Sequence, residues 1–273
     1  MENVTVLDPI QVRELEHSEI QYWKRYYQRQ TPFTSYANVM AGGMAFAVPS
    51  LPILAMNRVV GLGLDREIMT ADLKDIIAFY RAAGVNRFFI QLTPPVLDEE
   101  LRQKLTSNGF RHYNNWTKHY KEIDEYDYPM PNTDLKISPL PVRSAREFGE
   151  LICDCFGWNY PGLDQWLNNC IGQSAYQHYS VNVGGEIVAV AALHAADKYA
   201  SMAFAATRPS HRGLGIQQAL LLKRIRDAQQ LGCRYLVSET AEDKPGKPVT
   251  SARNMQRMGF QIAYQRQNWI FEF

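Results

Sequence analysis

Along residues 177–273 the spacing of apolar positions switches repeatedly between a period of two and a period of 3.6. Residues 177–183 and 186–195 read as strands, and Gly184-Gly185 between them is a tight hairpin signal. A third strand over 199–207 runs into a basic, glycine-containing loop, Arg208-Pro-Ser-His-Arg-Gly-Leu-Gly215. From Gln217 to Leu231 the residues Leu221, Ile225 and Ala228 share one helical face, with Lys223, Arg224, Arg226 and Asp227 elsewhere. Gly232 stands where a helix C-terminus is expected. Residues 234–240 then read as a buried strand, followed by a polar loop, a short helix ending at Arg257, and Gly259-Phe260 leading into a last strand through Trp269. Upstream, helices are predicted over 143–156 and 162–172, with Trp158, Tyr160 and Pro161 in the loop between them.

The N-terminal half repeats this order. Thr70 can cap a helix carrying Leu73, Ile76, Ile77 and Tyr80 at helical spacing, and Gly84 ends it. A buried strand over 87–92, a helix near 97–107, Gly109-Phe110 and a strand through Trp116 follow. Residues 124–142 hold four prolines and no helical period, which marks a connector. The expected organisation is a first domain over 1–125, a linker over 126–134 and a second, related domain over 135–273, each of mixed α/β class.

Composition narrows the classes of function. A chain of 273 residues with 46% hydrophobic and 12% aromatic content can bury a substantial core. A net charge of +1 gives no field to draw in nucleic acid or an acidic membrane surface. The N-terminus lacks the basic and apolar regions of a signal peptide, and no apolar run reaches a membrane span. Cys153, Cys155, Cys170 and Cys233 lack metal-site spacing and read as free thiols. A soluble cytoplasmic protein without a metal is expected.

The loop before the long helix carries the chemistry. Gly213 and Gly215 allow consecutive backbone N–H groups to turn toward one point, and the helix after them aims its positive end there. With Arg212 this forms a cradle for a pyrophosphate. The residues Arg212-Gly213-Leu214-Gly215-Ile216-Gln217, with Pro209 before them and Gln-Arg-Met-Gly-Phe at 256–260, resemble the GNAT superfamily of acyl-CoA-dependent N-acyltransferases over roughly 135–273. That family's loop reads [QR]-x-x-G-x-[GA], so Gln217 is a departure: its side chain could crowd the pyrophosphate, point into solvent or help bind. In the first half, Gly61-Leu62-Gly63 matches the loop, but Asp65-Arg66-Glu67 place acids where phosphates would sit. The first half is expected to be a degenerate copy that binds no cofactor.

The resemblance implies direct attack of an amine on the thioester of acetyl-CoA. It assigns the strand end Ala205-Ala206-Thr207 to the pantetheine arm, and His211 and the loop residues 212–217 to the phosphates, with Ser251 and Asn254 bonding the cofactor arm or capping the short helix. Family members often place a tyrosine four residues before the glycine of Gly-Phe as the thiolate's acid; here that residue is Met255, and the nearby candidates are Ser251, Asn254 and Tyr264, the last with a usable hydroxyl although a buried strand tyrosine is more often structural. Glu239 is the candidate base, the alternative being a strand-end acid bonded to the Ser238 or Thr240 hydroxyl. His194 and His211 are the other candidate bases, although His211 abuts the phosphate loop and fits binding better, and His194 in an apolar strand is more often a satisfied core histidine. Trp158, Tyr160 and Trp166 lie where the resembled family forms a substrate wall, which suggests a flat or apolar acceptor; a plain hydrophobic cluster is an equal reading. The expected function is transfer of an acetyl group to a primary amine of a small molecule or peptide by a monomer or homodimer; the other reading is a non-catalytic acyl-CoA-binding or regulatory module.

Overall fold

A computed structural model describes residues 7–29, 32–124 and 135–273; the linker expected over 126–134 lies outside them. The chain forms two compact units. The first holds the chain through Lys118 together with Thr240–Lys247 and Ile262–Phe273, and the second holds His119–Glu239 and Pro248–Gln261.

The first unit opens with helix α1 (Pro9–Gln28). Asp8 caps it: its carboxylate accepts from the Gln11 N–H at 2.8 Å, and the Gln11 side chain accepts from the Asp8 N–H. Strands β1 (Tyr36–Met40), β2 (Gly43–Ala47) and β3 (Arg58–Val60) form an antiparallel meander. Helix α2 (Thr70–Ala83) returns the chain to β4 (Arg87–Leu92), parallel to β3, and α3 (Glu99–Ser107) leads into β5 (Arg111–Glu122). At the head of α2 the cap is not Thr70 but Met69, whose N–H donates to the Asp72 carboxylate at 2.8 Å. The last strand of the chain, β11 (Gln261–Glu272), pairs antiparallel with β4, setting Trp269 opposite Ile90. Leu73, Ile76 and Tyr80 of α2 pack on Phe88, Ile90, Leu92 and Trp269 to form this unit's core. The twelve residues after Gly259-Phe260 thus complete the sheet of the first unit.

In the second unit β6 (Lys136–Pro139), β7 (Tyr176–Val183), β8 (Glu186–Ala196) and β9 (Tyr199–Thr207) are antiparallel, and β10 (Tyr235–Ala241) joins β9 in parallel. Helices α4 (Ala145–Phe156) and α5 (Leu163–Leu167) precede β7, while α6 (Ile216–Gln230) links β9 to β10 and α7 (Thr250–Arg257) follows β10. One sheet face, with Tyr179, Val181, Leu193, Met202 and Leu236, packs on Leu220, Leu221 and Ile225 of α6. The helix predicted over 162–172 closes after Leu167, and the chain turns through Asn168–Gly172 with Gly172 at a φ of +81°.

His178 on β7 is buried between the ring of Phe148, 5.1 Å away edge-on, and that of Tyr176. Burial lowers its imidazole pKa from 6.5 to about 4. An unfolded chain therefore binds this proton at a higher pH than the folded one. His178 supports the fold fully above pH 6.5, and that support falls away as pH drops toward 4, by about 3 kcal/mol in all. Denaturant unfolding at pH 7 and pH 4.5 should show a smaller acid loss in His178→Phe than in the parent.

Candidate functional site

The site is built where β9 parts from β10. The two strands pair from Tyr199 opposite Tyr235 to Ser201 opposite Val237, and one step on the Ser238 hydroxyl donates to the Met202 carbonyl at 3.3 Å. Beyond that β9 bulges. Val190 faces Ala206 and Ala192 faces Ala203, so Phe204 and Ala205 stand together opposite Ala191. Phe204 holds a φ of +48°, a region costly for a residue with a side chain, so the surrounding ladder must enforce it. Past the bulge the Arg208 N–H donates to Val188 at 2.9 Å. Alternation along an antiparallel ladder then points the Ala206 N–H at β8 and that of Thr207 to the opposite side. Nothing in the local sequence announces this bulge, since it contains neither glycine nor proline.

Thr207 leads through a short 3₁₀ turn, Pro209–His211, into the glycine loop. Gly213 and Gly215 have φ of +81° and +74°, and a Cβ at either would meet no atom within 4 Å. Gly215 is the N-cap of α6, whose first turn carries no acid. The helix therefore presents its unpaired first-turn N–H groups beside open space, a fit to the phosphates of a nucleotide-tailed thioester. Two side chains fix the loop to the strand end. Arg212 Nε donates to the Thr207 carbonyl at 3.3 Å, and Gln217 Nε2 donates to Thr207 Oγ1 at 2.7 Å. The Gln217 amide takes a placement outside the three expected: it turns back onto β9. His211 Nδ1 lies 2.9 Å from Ser210 Oγ, while Leu214 projects outward and Ile216 is buried under the helix. Cys155, at the end of α4, bonds the Arg212 guanidinium; burial raises its thiol pKa and Arg212 opposes the rise.

Glu239 is half-buried on β10, two residues past the end of the paired register. The hydroxyls of its neighbours bond main-chain carbonyls, Ser238 to Met202 O at 3.3 Å and Thr240 to Ala241 O at 2.8 Å. Met255 is buried in the core with Ile216, Leu220 and Phe260, which accounts for a thioether where the resembled family has a phenol. In α7 Ser251 is exposed and the Asn254 carbonyl oxygen accepts from Arg257 at 3.4 Å; the N-cap is Val249 with no side-chain bond, so neither residue caps the helix.

Tyr264 departs from its expected role. It lies in the first unit, where its hydroxyl donates to Glu16 Oε1 at 2.6 Å. Burial, and then the Glu16 charge, hold its pKa well above the ordinary value. A phenol so committed is a poor acid for a thiolate. Of the aromatic wall, Trp166 is fully buried core, whereas half-buried Trp158 stacks on exposed Phe156 at 5.0 Å and Tyr160 is half-buried. His194 is buried, its ring 4.5 Å from that of Tyr176.

The counterpart loop in the first unit is filled. A Cβ at Gly61 would meet Ile20 at 2.8 Å, and one at Gly63 would meet Val96 at 2.3 Å and Ile68 at 3.0 Å. Asp65 pairs with Arg13 at 2.6 Å and Glu67 with Lys104 at 2.9 Å. Side chains and acids occupy the place that stands open at Gly213–Gly215.

Residues 145–260 match the model of the acetyltransferase (GNAT) family. The protein has the GNAT fold. It is similar along nearly its whole length to a GCN5-related N-acetyltransferase from Kribbella flavida, with 13% identity, a TM-score of 0.65, and 98% of this chain and 95% of that one covered. It is also similar to a GCN5-related N-acetyltransferase from Sphaerobacter thermophilus at 14% identity and a TM-score of 0.63, covering 98% and 94% of the two chains. A tandem GNAT protein from the clavulanic acid biosynthesis pathway gives 14% identity and a TM-score of 0.63, covering 97% and 94%. No curated protein matches the chain. Among the described residues no helix is long and apolar enough to cross a membrane, and no group of three metal-ligating side chains comes together.

Proposed function

We propose that this GNAT protein is an acetyl-CoA-dependent N-acetyltransferase that acts on a primary amine of a small molecule or peptide. The observation that carries the reading is the parting of β9 from β10 at Phe204 beside an open glycine loop at the head of α6. Acetyl-CoA supplies the activated acyl thioester. The chain does the rest. Gly213, Leu214, Gly215 and Ile216 give backbone N–H groups to the pyrophosphate, and Arg212 adds charge. The backbone of Ala205, Ala206 and Thr207 receives the extended arm as a strand would. His211, Ser251 and Asn254 border the cofactor, and Gln217 acts by seating Thr207. Glu239 takes the proton that an ammonium acceptor must lose before its nitrogen can attack. Tyr264 has no part in this scheme.

Calorimetric titration with acetyl-CoA and thiol release on a panel of amines test the reading. The parent should bind and turn over at least one amine. Arg212→Ala should weaken CoA binding about 10–30-fold, the worth of one charge-assisted contact. Unchanged affinity in that variant would remove the phosphate role, and binding without turnover on any amine would leave only a cofactor-binding module.

A further inference from the structure

In the second unit Glu239 stands seven residues after Gly232, the glycine that follows α6; in the first unit Gln91 stands seven residues after Gly84, the glycine that ends α2. Around Gln91 the first unit gathers three buried cations, Arg58 of β3, Lys118 of β5 and Arg266 of β11. All three converge on one carboxylate, Glu19 of α1. Its Oε1 accepts from Arg58 Nη2 at 2.9 Å, and its Oε2 is bonded by both Lys118 and Arg266.

The cations are held by more than this carboxylate. Gln91 Oε1 accepts from Arg58 Nη1 and from Arg266 Nη1, each at 3.0 Å. The Arg58 guanidinium lies over Trp23 at 5.1 Å and Trp116 at 5.5 Å. Glu16 stands 3.4 Å from Arg266 and 4.0 Å from Lys118. Arg58 and Arg266, held by Gln91 as well as by Glu19, form the preorganised part of a receptor that Lys118 completes. The residue after Glu19, Ile20, fills the space at Gly61 of the counterpart loop. Adjacent residues of α1 thus bond the three cations and fill the loop position whose counterpart stands open at Gly213–Gly215.

We propose that this cluster is a carboxylate-binding site whose ligand the chain carries on its own first helix, with Glu19 as the tethered occupant. Burial works to raise the Glu19 pKa but is outweighed by Arg266, Lys118 and Arg58, which hold it well below the ordinary value. The three cations thus favour the ionised form of the occupant. The site selects a planar, two-oxygen anion over a spherical one, since its donors approach both oxygens.

Chemical rescue tests this in the full chain. Glu19→Ala deletes a methylene and a carboxylate, the heavy atoms of acetate without its methyl hydrogens, and strands three cations. Its melting temperature should fall by roughly 10 °C. Sodium acetate or formate should restore at least half of that loss with saturation, while sodium chloride at equal ionic strength should not. Glu19→Gln keeps the volume and leaves no room, so acetate should not rescue it, and the parent should show no acetate dependence. If Glu19→Ala does not fold alone, its refolding yield in acetate against chloride reads the same property. Equal responses to acetate and chloride in both measurements would overturn the proposal and leave an ordinary ion-pair network.

Discussion

In the Glu239→Gln variant, turnover of an amine acceptor is expected to fall about 10²–10³-fold with CoA affinity unchanged. Glutamine keeps the size and one acceptor oxygen of the glutamate but cannot carry away a proton at neutral pH. The neighbouring hydroxyls offer no substitute, because Ser238 and Thr240 already donate to main-chain carbonyls. The loss should therefore fall on kcat, and the acid limb of the kcat–pH profile should disappear with the carboxylate. A variant with the parent's profile would sink the base assignment, whatever its absolute rate. Calorimetry on the same sample separates this outcome from damage to the phosphate loop, which belongs to other residues.

How much of this was legible beforehand differs from one residue to the next. The strands at 176–183, 186–196 and 199–207 and the helix at 216–230 follow from local periodicity, and Gly184-Gly185 and Gly232 punctuate them with the φ values such turns need. Those signals are local, and so is the glycine loop. What escaped depends on distant partners. Helix α1 buries Glu16 and Glu19 among Val12, Leu15, Ile20 and Tyr22, a placement that makes sense only once Arg58, Lys118 and Arg266 are in place. The bond that commits Tyr264 has no local signal, because its acceptor, Glu16, lies 248 residues away. No residue within β11 says which sheet will receive it. The bulge at Phe204 was hidden for another reason: the ladder imposes its backbone angle, and the side chain does not favour it.

The second large effect is expected in Trp269→Ala. Trp269 is buried in the first unit's core with Leu73, Ile76 and Tyr80, and it sits opposite Ile90 in the β4–β11 pair. Removing it costs about 3–5 kcal/mol in lost contacts and cavity. Amide exchange by mass spectrometry locates the damage. Peptides covering β4 should lose most of their protection, whereas those covering β8 in the second unit should keep theirs. The reverse pattern would mean that β11 serves the unit nearer to it in sequence.

The placement of β11 also has a consequence for the order of events during synthesis. Gln91 and Asn268 are bonded at 2.7 Å although 177 residues separate them. The strand that completes the first sheet is therefore made only after the residues of the second unit. Domains usually fold as they emerge, the N-terminal one first. Here the earlier-made half waits with an unfilled sheet edge while the later-made half can already assemble. Contacts this long-range slow folding and prolong the time an open edge is exposed. Dependence on chaperones should accordingly centre on residues 36–118, the part of the chain made early and completed late.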